Sequence, residues 1–146
     1  MRKQFLLAIC LLVGITGVLA EVRSSNVIIE NLCKQGERCM DEAKYDSSFY
    51  FYNAALSQNG VKSTDWYAKI INGRGLLYYT TGDMDSALAD KLEATRLLNR
   101  KEHPDLEGLV DAYSTLGIIY RRRQMPDSAL VYYEKALDSA EKLGND

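Results

Sequence analysis

Apolar residues recur at three- and four-residue spacing over most of the chain, the pattern of helices that each bury one face. Leu109, Tyr113, Leu116 and Tyr120 form one such stripe, and Ala129, Tyr133, Ala136, Leu137 and Ala140 form the next. Short polar breaks separate the stripes. Thr81-Gly82-Asp83 ends one helix and offers Asp83 as the N-cap of another. Gln124-Met125-Pro126 does the same with Pro126 at a first helical position. The longer links, Gln58 to Thr64 and Asn99 to Asp105, are polar and carry Gly60 or Pro104. Together these signals predict six helices, at about 26–42, 46–58, 64–81, 84–99, 105–123 and 126–143.

The pattern also repeats. Asp85-Ser86-Ala87-Leu88 returns as Asp127-Ser128-Ala129-Leu130, 42 residues later. The same offset carries Gly75 to Gly117, Tyr78 to Tyr120 and Ala94 to Ala136. A weaker copy lies 39 residues upstream, where Gly36, Asp46-Ser47 and Ala55 match Gly75, Asp85-Ser86 and Ala94. The small residues mark places where neighbouring helices approach closely, and the large Tyr residues fill the space beside them. One such hairpin cannot bury both of its faces, so hairpins of this kind stack.

These residues resemble the tetratricopeptide repeat, whose unit of about 34 residues has fixed aromatic, Leu, Gly, Tyr and Ala positions. The last unit, begun at Val110, supplies Tyr113, Leu116, Gly117, Tyr120, Ala129, Tyr133 and Ala136, with Glu141 where the family has Pro. The middle unit, begun at Ala68, keeps Gly75, Tyr78, Ala87 and Ala94 and departs at Arg74 and Lys91. The first, begun at Ile29, keeps Gly36, Tyr52 and Ala55, with Cys39 and Ser48 as looser substitutes. The expected fold class is therefore all-α, an α-solenoid of three helical hairpins with units at about 29–62, 68–101 and 110–143.

The resemblance implies a right-handed superhelix with a concave face lined by the first helix of each unit. Carried onto this chain, that face comprises Glu30, Cys33, Glu37, Met40 and Asp41, then Lys69, Asn72, Leu76, Tyr79 and Thr80. Asp111, Ser114, Ile118, Arg121 and Arg122 complete it. The partner-binding residues expected from this set are Glu37, Met40, Lys69, Asn72, Leu76, Tyr79, Ser114, Ile118, Arg121 and Arg122. Such a groove runs from acidic, through an apolar and hydroxylic middle, to basic, and suits an extended peptide or a partner helix. It does not resemble the family's carboxylate clamp, because Cys33 and Glu37 stand where the clamp has Lys and Asn.

Composition narrows the function. Of 146 residues, 47% are hydrophobic and 26% charged, as in a globular chain rather than a disordered one. The 18 basic and 20 acidic residues leave a charge of −2, without the basic surplus of a nucleic-acid binder. The N-terminus reads as an address. Arg2 and Lys3 precede an apolar stretch, Phe5 to Val13, and Val18-Leu19-Ala20 closes it with a small residue. This is the order of a secretory signal peptide, residues 1–20, before a mature domain at 21–146. The apolar stretch falls short of the roughly 20 residues of a membrane span. A retained anchor, a buried first helix and lipidation at Cys10 are the alternatives. Ile9 before Cys10 is larger than a lipobox prefers.

Cleavage would leave Cys33 and Cys39 in an oxidising compartment. Six residues of helix rise about 9 Å, beyond the roughly 7 Å that a disulfide tolerates between Cα atoms. The two are therefore read as small hydrophobes, with an intermolecular disulfide as the alternative. Arg121-Arg122-Arg123 is either a grip for an acidic partner or a solvated helix end. Tyr78 and Tyr133 are expected in the core and Tyr79 and Tyr132 outside it, while His103 is a solvated loop residue.

No phosphate loop, nucleophile elbow or zinc spacing occurs in the sequence. The expected protein is not an enzyme and uses no cofactor or metal. It is an exported scaffold, in the periplasm or cell envelope of a bacterium, that binds a protein or peptide. It meets the membrane only if the signal segment is retained. The alternative is the sensory segment of a larger membrane-bound signalling or transcription regulator, here truncated. No polar capping helix follows the third hairpin, so Leu130 and Leu137 are expected to be exposed, and a homodimer could form through that end.

Overall fold

The computed structural model describes residues 23–100 and 102–145. Residues 1–20, read above as a signal peptide, lie outside the described residues, as does Cys10. The described chain runs through α1 (23–41), α2 (Tyr45–Leu56), a 3-10 turn (Val61–Ser63) and α3 (Asp65–Thr81). It continues through α4 (Met84–Leu98), α5 (Leu106–Arg122) and α6 (Pro126–Asn145). No strand occurs among the described residues, which are all-helical with six helices as the periodicity predicts. The link before α3 is less purely polar than expected. Val61 is buried there, and the 3-10 turn lets it reach the core.

All three tight turns between paired helices use one geometry. The amide of Gly82 donates to the carbonyl of Tyr79, and that of Asp83 to Tyr78. Gln124 and Met125 repeat this onto Arg121 and Tyr120, and Ala43 and Lys44 onto Met40 and Cys39. This bond pair satisfies the last helical carbonyls and requires a left-handed residue at its centre. Gly82 takes φ of 93° without strain, whereas Gln124 at 60° and Ala43 at 55° adopt it against their side chains. Asp83 then caps α4 by accepting from the Ser86 amide at 3.1 Å, and Asp105 caps α5 by accepting from Gly108 at 3.0 Å.

Packing follows the hairpin order. α3 lies on its partner α4 and also on α2 and α5, while α5 lies on α6 and α4. Direct contact between α3 and α5 puts the first helices of successive hairpins side by side. The recurring Gly positions are where second helices press in. A Cβ on Gly36 would stand 2.9 Å from the Tyr52 ring, and one on Gly117 only 2.5 Å from Tyr133. Ser48, at a position the family gives to Ala, is fully buried and donates to the Gly36 carbonyl at 2.8 Å. Its hydroxyl thereby avoids the penalty of an unpaired buried polar group.

The core expectations need three corrections. Tyr78 is half-buried, because it packs on Phe49 at 5.0 Å near the surface. Tyr133 is also only half-buried, since α5 is the main element against which α6 packs among the described residues. Tyr132 is not a free surface ring. It stacks on Tyr120 at 5.2 Å, and Lys135 lies 5.1 Å above it. The exposure of Leu130 and Leu137, at 58% and 60%, is as expected.

Candidate functional site

The middle repeat departs from its siblings at Lys91, and the site grows from that departure. Lys91 occupies the slot filled by Tyr52 and Tyr133 in the flanking hairpins, with its stem against Gly75. A lysine stem is slimmer and longer than a phenol ring, so it threads between α3 and α5. Its ammonium donates to Asn72 Oδ1 at 2.8 Å and Asp111 Oδ2 at 2.5 Å. Asn72 Nδ2 donates to the same Asp111 oxygen at 2.9 Å. Lys91 is fully buried, whereas the Asp111 side chain remains 40% exposed. Burial pulls the Lys91 pKa below its ordinary value, and Asp111 opposes that pull.

Arg74, the other departure, makes a second inter-helix pair. Its Nε and Nη2 hold both oxygens of Asp90 at 2.7 and 2.9 Å, with side chains only 20% and 13% exposed. This fork-to-fork contact replaces the apolar contact a Leu would make between the helices of the hairpin.

Asn72 and Asp111 form the floor of a cavity of about 380 Å³ on the side lined by the first helices. Glu37, Met40 and Asp41 of α1 form one wall, Lys69 and Leu76 of α3 contribute to the floor, and Glu107 stands on α5. A second cavity of about 510 Å³ adjoins it, reaching Arg100 and His103 in the link before α5. Lys69, Leu98 and Asp105 line both cavities, so the two adjoin as one grooved surface. His103 is exposed, as expected, but it also borders this groove.

The structure brings Glu37, Met40, Lys69, Asn72 and Leu76 together in the first cavity. It does not bring Tyr79, Ser114, Ile118, Arg121 or Arg122 into either cavity. Tyr79 is half-buried, with the Arg122 guanidinium 5.0 Å above its ring. Arg123 pairs with Asp85, which ties the end of α5 to the start of α4. Arg122 and Arg123 thus each have a partner on the protein surface, and all three arginines of the run remain exposed. Cys33 is also removed from the expected concave set. Ile29, Cys33 and Gly36 share one stripe of α1, and that stripe faces Tyr52, leaving Cys33 fully buried.

The groove is more acidic than the sequence suggested. Glu37, Asp41, Asp105, Glu107 and Asp111 line the first cavity, with Lys69 the only cation in its wall. Glu107 and Asp105 were missed because they lie at the start of α5, ahead of the positions the resemblance supplies. The negative field acts on buried neighbours. Burial first, and then Glu37, pushes the Cys33 thiol up to about 12. Burial and then negative charges including Glu37, Asp41 and Asp111 raise the Tyr52 phenol. Cys33 and Cys39 are both free thiols.

Six helices, three hairpins and glycine slots filled from the second helix define a helical-repeat protein. A family model described as tetratricopeptide repeat matches residues 66–142, more than half of the chain. The chain belongs to the tetratricopeptide repeat family, and repeats of this family mediate protein–protein interaction. No curated protein matches the sequence.

Proposed function

We propose that the chain is a non-catalytic scaffold that binds an extended segment of a partner protein along the groove lined by α1, α3 and α5. The observation that carries this reading is the adjacency of the two cavities, which share Lys69, Leu98 and Asp105 as lining residues. The groove has apolar contacts in Met40, Leu76 and Leu98 and polar groups at fixed spacing, as a surface that reads side chains requires. Selection of peptides from a random display library on residues 21–146 tests it. Enriched peptides should lose binding to Leu76→Arg, which fills the groove, and keep binding to Leu92→Arg, on the surface of α4. Equal binding to both variants would refute the reading.

Export to the periplasm or envelope is part of the proposal, supported by the order of charge, apolar stretch and small residues in Met1–Ala20. No helix among the described residues is long and apolar enough to cross a membrane. N-terminal sequencing of the protein from its native compartment should begin at Glu21, and an intact Met1 would oppose export by cleavage. A second reading, self-association or continuation into a larger regulator, is favoured by the apolar stripe on α6. Leu130 and Leu137 stand seven residues apart on one face of α6 and are more than half exposed. Light scattering on wild type and Leu137→Glu would separate a dimer through this stripe from a monomer.

A further inference from the structure

We propose that the groove selects a basic segment, one whose Lys or Arg side chains enter the cavity between α1, α3 and α5. This rests on the groove being the binding surface.

Shape and walls come first. The cavity is open to solvent, and Met40 and Leu76 offer apolar surface on which the methylene stem of a long side chain can lie. Charge then decides what that side chain carries. Five carboxylates face the cavity against one lining cation, Lys69. Lys69 sits 5.4 Å from the Trp66 ring, which draws its charge toward α3's first turn. Asp105 is engaged at the Gly108 amide as a cap, and Glu37 accepts from the Cys33 thiol. Asp41 and Glu107 have no ion-pair partner among the described residues. They stand on opposite walls of the cavity, on α1 and α5.

Asp111 supplies the directional element. Its Oδ2 is held by the buried Lys91 ammonium and by Asn72, so the carboxylate is oriented before any partner arrives. No hydrogen bond to its Oδ1 occurs among the described residues, so that oxygen can accept from a donor in the cavity. Lys91 has no exposed surface, so it cannot itself contact an acidic group from solvent, and its charge is matched by Asp111. Of the basic run Arg121-Arg122-Arg123, Arg122 lies over Tyr79 and Arg123 pairs with Asp85, and none of the three lines the cavity. An acidic segment would meet like charge along the cavity, which disfavours it.

The test uses fluorescence anisotropy with two labelled peptides on residues 21–146, one alternating Lys with Ser and Leu, the other with every Lys replaced by Glu. The Lys peptide is expected to bind and weaken with added salt, and the Glu peptide to bind at least about tenfold more weakly. The groove variant Glu37→Gln/Asp41→Asn/Glu107→Gln should lose roughly tenfold in affinity for the Lys peptide. A variant with the same net charge, Asp46→Asn/Asp127→Asn/Glu134→Gln, neutralises carboxylates outside the groove and should bind as wild type. All six positions are exposed, so both variants should fold, which circular dichroism verifies. Preference for the Glu peptide, lost in Leu76→Arg, would overturn the basic selectivity and leave the groove as the binding surface. Equal weakening by both triple variants would reduce the effect to net charge and overturn the proposal. Binding of neither peptide would overturn both the selectivity and the groove reading.

Discussion

Removing Asp111 should destabilise this protein more than removing the lysine it neutralises. Lys91 is fully buried and its ammonium has two partners, Asn72 and Asp111. Asp111→Asn keeps an acceptor near the ammonium but withdraws the carboxylate paired with it. Stranding a buried charge costs about 3–5 kcal/mol, and the lower end, about 3, applies because water reaches the 40%-exposed Asp111 side. That is a large share of the roughly 5–15 kcal/mol that holds a domain together. Lys91→Met removes the charge instead and fills most of the same volume, leaving Asp111 partly hydrated and still bonded to Asn72. It should fall within about 1 kcal/mol of wild type, on either side. Lys91→Ala adds lost packing and should cost about 2 kcal/mol.

Urea denaturation followed by far-ultraviolet circular dichroism gives the order, and pH dependence gives the cause. Because burial lowers the Lys91 pKa from 10.5, the unfolded chain keeps that proton to higher pH than the folded one. Stability should therefore rise with pH between the lowered value and 10.5, with the largest rise in Asp111→Asn, where no carboxylate opposes burial. In Lys91→Met this contribution disappears. If Asp111→Asn proves as stable as wild type, or Lys91→Met as damaging as Asp111→Asn, Lys91 is not a buried charge held by Asp111, and the account of the groove floor is wrong.

Gly117→Ala, whose Cβ would stand 2.5 Å from the Tyr133 ring, should lower stability by about 2 kcal/mol; Gly144→Ala, in open space on α6, should be neutral or gain about 0.5 kcal/mol in the same denaturation assay. Asp90→Ala leaves Arg74 without its bidentate partner at a mostly buried site and should cost about 2 kcal/mol; Arg74→Leu with Asp90→Ala, which restores the apolar contact, should recover most of it. In thiol titration with a disulfide reagent at neutral pH, Cys39 should react and Cys33 should not. Cys33 is buried, with a pKa pushed up to about 12, and should react only after unfolding. Equal native rates at the two cysteines would mean that α1 does not hold Cys33 against Tyr52.

The helices, their turns and the glycine slots are local features, and the chain states them locally. Gly82 and Asp83 specify a turn and a cap through backbone freedom and a short acceptor. Gly117 and Tyr133 recur at the spacing that brings a bare backbone under a ring. Periodicity of this kind survives because each hairpin repeats the same contacts with its own neighbours. The turn at Ala43 and the αL residue at Gln124 were less legible, since neither side chain favours that conformation, and the packing of the paired helices imposes it.

Charge was legible as residue type but not as pairing. Arg74 and Lys91 stood out as departures from the repeat, yet nothing local says that Arg74 meets Asp90 or that Lys91 passes Gly75 to reach Asp111 on another hairpin. The same holds for Arg122 over Tyr79 and Arg123 against Asp85, which give two residues of the basic run partners on the protein surface. A long side chain can end anywhere within several ångströms of its helix, and its terminus is set by which opposite charge the packing places there. The repeat therefore prescribes where the groove runs. The stacking of hairpins prescribes its acidity, because only stacking sets the walls of α1 and α5 around Asn72.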